Sequence, residues 1–96
     1  MQIKLNKKFD INLNIIIDYI TQDKLSAAKK FRANLFNQIN SLPNFPYKCR
    51  QSYYDRDKNV RDMIFKGYTI VYEVDISNSI IIILNIFNKN KPTLTT

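Results

Sequence analysis

The stretch VRDMIFKGYTIVYEV, Val60 to Val74, decides how this chain is read. Lys66-Gly67 divides it as a turn. VRDMIF before the turn has the composition of a strand. After it, Tyr68, Ile70, Tyr72 and Val74 alternate with Thr69, Val71, Glu73 and Asp75, the period of two that a half-buried strand requires. The spacing predicts an antiparallel hairpin. Its charged opening, Arg61-Asp62, leaves three readings for Arg61: a solvated edge residue, a clamp for a protein partner, or a contact to a phosphate.

Downstream, Ser77 to Ser79 reads as a second turn. Ile80 to Phe87, IIIILNIF, is apolar on both faces and belongs inside a sheet. From about residue 88 the sequence NKNKPTLTT is polar and reads as a mobile tail. Upstream, DRDKN (Asp55 to Asn59) is a charged loop, and the aromatic-rich NFPYKCRQSYY is punctuated by Pro46, with Pro43 just before it. Leu25, Ala28, Phe31, Leu35, Ile39 and Leu42 form a helical stripe. Asp23 is its expected N-cap and Pro43 its expected stop. Phe9, Leu13, Ile16, Ile17 and Ile20 predict an earlier helix, although Ile11, Leu13 and Ile15 also alternate like a strand. The short link TQDK should fold the two helices into an antiparallel hairpin. Gln2 to Leu5 suits a short first strand. The expected fold is one α+β domain over residues 1–96: an N-terminal strand and an antiparallel helix hairpin packed on one face of a small antiparallel sheet.

Composition narrows the chemistry. The chain has no histidine and one cysteine, Cys49. That excludes a Ser-His or Cys-His nucleophile pair, a histidine-ligated zinc and an internal disulfide. Asp55 and Asp57 alone make a poor metal site, and no cofactor or metal is expected. No apolar run approaches the roughly 20 residues of a membrane span. The N-terminus lacks the apolar core of a signal peptide, so a cytoplasmic protein is expected. Fifteen Lys and Arg against eight Asp and Glu give a formal charge of +7, which suits nucleic acid or a strongly acidic protein as partner.

Element order and residues together resemble the RelE/ParE superfamily, toxins of bacterial type II toxin–antitoxin systems. IIIDYITQDKLSAAKKFRANLFNQINSLPNFP is similar to that family's helix hairpin, with its Ala-Ala-x-x-Phe entry to the second helix and closing Leu-Pro. VRDMIFKGYTIVYEV followed by IIILNIF resembles its meander. The resemblance implies a cognate antitoxin partner and, for the ParE-like branch, inhibition of DNA gyrase. The RelE-like branch implies a ribosome-dependent mRNA endoribonuclease. That branch commonly carries arginine after the Gly-Tyr of the strand following the turn, and a tyrosine near the C-terminus. Here Thr69 follows Gly67-Tyr68, and the tail has neither arginine nor tyrosine. The ParE-like branch is therefore favoured, as in plasmid-stabilisation systems whose toxin arrests growth. A third reading is a non-toxic remnant that binds antitoxin and serves operon autoregulation, the hetero-oligomer meeting operator DNA through the antitoxin.

The residues expected to meet the target are Arg50, Arg56, Arg61, Lys66, Lys89 and Lys91, basic positions around and beyond the meander. Tyr47, Tyr53 and Tyr54 interleave with them. No catalytic residue is assigned. Tyr68 and Tyr72 read as packing residues of the sheet face, one of them a general acid only on the nuclease reading.

Overall fold

The computed structural model describes residues 1–88. Asn88, the first residue of the expected tail, closes the last strand; the rest of the tail, with Lys89 and Lys91, lies outside the described residues. In chain order the elements are β1 (Gln2–Leu5), α1 (Lys7–Asp23), α2 (Leu25–Ser41), a 3-10 turn at Leu42–Asn44, β2 (Arg50–Gln51), β3 (Val60–Phe65), β4 (Tyr68–Asp75) and β5 (Ile80–Asn88). The strands form a single sheet in the order β1-β5-β4-β3-β2. β2 to β5 are an antiparallel meander, as the alternation predicts. β1 pairs with β5 in parallel, so the sheet is mixed. The apolar strand β5 thus has a neighbour on each side.

The helix hairpin forms as expected, with three corrections. Asp23 does not cap α2; it is the last residue of α1. The Lys24 N–H bonds the Ile20 carbonyl and closes α1, while the Lys24 carbonyl accepts the Ala28 N–H and opens α2. Extended backbone at Lys24 makes the whole reversal, and no side chain caps α2. The connection is one residue where four were expected. Leu25, at this corner, is exposed and lies outside the core stripe. The stripe itself holds: Ala28, Phe31, Leu35, Ile39 and Leu42 are buried, as are Phe9, Leu13 and Ile16 of α1. The strand-like alternation in α1 resolves as helix, with Ile11 and Ile15 turned outward. α2 stops at Ser41 and the chain tightens into the 3-10 turn that contains Pro43.

Both helices pack on one sheet face. Phe9, Leu13, Ile16, Phe31, Leu35 and Ile39 meet Met63, Ile70, Tyr72, Val74, Ile81, Ile83 and Ile86 in one core. Burial of this apolar surface is the main favourable contribution to folding. A smaller cluster, Val60, Val71 and Phe87 with Leu84 against it, lies on the opposite face. The Tyr54 ring covers Phe87 edge-on at 4.9 Å. Between β4 and β5 the register slips at Leu84: Val71 pairs with Asn85 but Tyr72 with Ile83. Such a bulge re-aims side chains. Here the Asn85 Oδ1 receives the Nδ2 of buried Asn12 on α1 at 2.6 Å, so this polar pair crosses the helix–sheet interface. At the hairpin turn Lys66 and Gly67 both have positive φ, 49° and 83°. This is the two-residue reversal whose twist matches the flanking strands. A Cβ on Gly67 would meet nothing within 4 Å, so backbone conformation, not space, calls for glycine. No described helix is long and apolar enough to cross a membrane.

Candidate functional site

Arg61 and Asp62 occupy successive positions on β3, so their side chains leave opposite faces of the sheet. Arg61 shares the helix-side face with Met63. Its guanidinium is held by two backbone carbonyls: Nε donates to Lys58 at 3.0 Å and Nη1 to Cys49 at 3.1 Å. Its plane lies 4.8 Å from the Tyr47 ring centre. Neither Asp62 nor Glu73 is its hydrogen-bond partner. Arg61 is half-buried, neither a solvated edge residue nor one arm of a surface ion pair. It ties the α2–β2 link and the β2–β3 loop to the sheet.

Tyr72, opposite Arg61 in the β3–β4 register, completes the arrangement. It is fully buried, and its hydroxyl donates to the Pro46 carbonyl at 2.7 Å. Burial foremost, then the neighbouring Cys49 side chain, pushes its pKa well above the usual phenol value, while the Arg61 cation opposes the shift. The Tyr47 hydroxyl donates to Asn59 Oδ1 at 2.6 Å. Cys49, Arg61 and Tyr72 thus form one cluster with Tyr47 of the segment from Asn44 to Lys48.

On the other face Asp62 is buried. Its Oδ2 accepts the Tyr53 N–H at 3.1 Å and Arg50 Nη2 at 3.4 Å. Its Oδ1 and the Arg50 Nε are buried without a hydrogen-bond partner among the described residues. The Arg50 guanidinium also stacks on Tyr53, 3.9 Å from the ring centre. Thr69, on the same face, is fully buried.

The basic residues expected to meet a target are therefore not gathered at one point. Arg61 and Arg50 occupy opposite faces. Arg56 is exposed in the β2–β3 loop, where its carbonyl accepts Gln51 Nε2 at 3.3 Å. Lys66 sits on the β3–β4 turn, with Nζ 5.5 Å from the Phe65 ring centre. Lys89 and Lys91 are outside the described residues. Asp55 and Asp57 accept the N–H groups of Asp57 and Asn59 and shape their loop. No cluster that could hold a metal occurs among the described residues. Sequence reasoning passed over Phe45, 70% exposed at the head of the pinned segment. The available signal was NFPY, an aromatic bracketed by Pro43 and Pro46.

Residues 3–91 match the family model described as the ParE toxin of the type II toxin–antitoxin system parDE. The chain belongs to the ParE toxin family. No curated protein sequence matches it. A solved structure described as the chromosomal ParDE TA system from P. aeruginosa is similar, with a TM-score of 0.72 and 20% identity. The alignment covers 92% of this chain and 95% of that one, so the two share a fold over nearly their whole lengths. For this ParE-family toxin the resemblance read from the helix hairpin and the VRD strand holds, and the α+β expectation holds with it. Membership of a toxin–antitoxin family carries with it an antitoxin partner.

Proposed function

We propose that this ParE-family toxin acts by binding, that its target is DNA gyrase, and that its cognate antitoxin neutralises it. The observation that carries the choice of binding over nuclease action is the dispersal of the cations. Cleaving a phosphodiester calls for cations and a proton-transfer group around one phosphate. Here Arg50 is engaged by Asp62 on one face, Arg61 by two carbonyls on the other, and Lys66 stands on the hairpin turn. The expectation of an antitoxin that covers apolar surface is supported by α1. Ile11, Ile15 and Tyr19, spaced four residues apart, are 45%, 40% and 71% exposed, a stripe suited to an amphipathic segment.

The test is a pair of assays on the purified chain. Supercoiling by purified gyrase should fall with added toxin and recover on addition of the antitoxin encoded beside it. Translating mRNA should stay intact at the same toxin concentration. Cleavage of that mRNA with supercoiling untouched would overturn the gyrase reading in favour of the RelE-like one. A chain that leaves both substrates and cell growth unaffected would leave the antitoxin-binding remnant.

A further inference from the structure

We infer that the segment Asn44–Lys48 is a preformed docking tip, and that Phe45 at its head inserts into an apolar pocket, rimmed by carboxylates, on the folded protein that the toxin attacks. This rests on the proposal that the chain is a binding toxin. It does not depend on which protein is the target.

Phe45 is 70% exposed, an unfavourable place for a large apolar ring. The backbone beneath it is nonetheless held at several points. The Phe45 N–H bonds the Leu42 carbonyl and the Lys48 N–H bonds the Phe45 carbonyl, each at 3.1 Å. Tyr72 reaches out of the core to the Pro46 carbonyl, and Arg61 holds the Cys49 carbonyl. Pro43 and Pro46 restrict φ on both sides of the ring. The Phe45 ring lies largely in solvent, yet buried Tyr72 and half-buried Arg61 hold the chain that follows it. A rigid, exposed aromatic loses little conformational freedom on association, which is the property of a binding hot spot.

Charge selects the partner. Lys48 lies on the tip, its Nζ 3.4 Å from Ser41 Oγ, and the Arg61 guanidinium stands behind it between the Lys58 and Cys49 carbonyls. The carboxylates Asp55 and Asp57 accept N–H groups within their own loop. With Lys48 on it and Arg61 beneath it, in a chain of formal charge +7, the tip complements an acidic rim. A nucleic acid fits less well. Base stacking needs open ring faces, and one face of Tyr47 is covered by Arg61 while its hydroxyl is engaged by Asn59. Phe45 alone remains, and it offers no hydrogen bond.

The experiment compares the wild-type chain with Phe45→Ser, Tyr72→Phe and, as a control on the opposite sheet face, Ile64→Ser, which alters a residue 48% exposed. Growth arrest on induction, gyrase inhibition, antitoxin affinity, binding to a labelled DNA duplex and to single-stranded RNA, and thermal melting are measured on each. Phe45→Ser should melt like the wild type, bind antitoxin equally well, and need about tenfold more protein for growth arrest. Tyr72→Phe should fall between the two, and Ile64→Ser should match the wild type. Full growth arrest by folded Phe45→Ser overturns the inference, and so does a wild-type chain that arrests nothing. An equal loss of antitoxin affinity assigns the tip to the antitoxin and also overturns it. Binding to either nucleic acid that is lost in Phe45→Ser overturns the choice of a protein partner. If Phe45→Ser loses growth arrest while wild-type protein leaves gyrase untouched, the gyrase reading fails and the docking tip stands.

Discussion

Arg61 and Asp62, adjacent in sequence, are engaged on opposite faces of the sheet. Arg61 fastens the Cys49 and Lys58 carbonyls on the helix side. Asp62 gathers Arg50 and the Tyr53 N–H on the other. A single dipeptide thus fixes the middle and the C-terminal end of the region between α2 and β3, where regular structure is scarce.

This changes what Arg61→Ala is expected to do. An exposed arginine could be removed at little cost, but hydrogen bonds from a charged donor contribute about 1.5–3 kcal/mol where they are shielded. With Arg61 half-buried, Arg61→Ala should lower stability by about 1–3 kcal/mol in urea unfolding. Arg61→Lys should recover less than half of that loss, since one ammonium cannot span two carbonyls as a planar fork does. Any loss of toxicity in Arg61→Ala is then to be compared at equal folded fraction. A variant with wild-type stability would show that the two carbonyl bonds contribute nothing.

The Arg50–Asp62 pair should respond asymmetrically. The Asp62 side chain is fully buried, while that of Arg50 is 34% exposed. Arg50→Ala strands a buried carboxylate and should cost about 3–5 kcal/mol. Asp62→Asn keeps an acceptor for Tyr53 and leaves Arg50 access to water, so about 1–2 kcal/mol is expected. Chemical denaturation of both variants checks the order. The reverse order would mean that Asp62 is not the dominant buried charge.

Alkaline stability should depend on Tyr72. Folding raises its pKa, chiefly by burial, so the neutral phenol is the form the fold favours. That contribution is complete below the unfolded value of about 10. It is lost as pH climbs from there toward the folded value. The urea midpoint of the wild type should fall above about pH 10, and that of Tyr72→Phe should fall less steeply. At pH 7 Tyr72→Phe should cost about 1 kcal/mol for the lost bond to Pro46. Parallel pH profiles for the two proteins would remove Tyr72 as the group responsible.

Among the described target-contact candidates, Lys66 is the one whose replacement should stabilise the fold. A left-handed conformation costs a non-glycine residue about 1–2 kcal/mol, less for asparagine. Lys66→Asn should therefore raise stability by about 0.5–1 kcal/mol, and Gly67→Ala should lower it by about 1 kcal/mol or more. Thermal melts test both. Reduced growth arrest in the stabilised Lys66→Asn protein would mark Lys66 as a target contact, and unchanged arrest would remove it.

Much of this was decided locally. The period of two in Tyr68–Asp75, the helical spacing of Ala28, Phe31, Leu35 and Ile39, and the Lys66-Gly67 turn are short-range patterns, and each element formed where the pattern lay. The absence of histidine and the formal charge of +7 are likewise properties of the chain before it folds. Tertiary structure decided the partners. The sequence places Asp62 beside Arg61, yet strand alternation turns the two apart and β2 brings Arg50 across to Asp62. Tyr72 reads as a packing residue and is one, but the bond from its hydroxyl to Pro46, 26 residues away, exists only once α2 and the sheet have closed over the link. Phe45 reads as one more aromatic in a dense run. Its exposure depends on which neighbours reach it, and a local pattern carries no record of contacts made between distant segments.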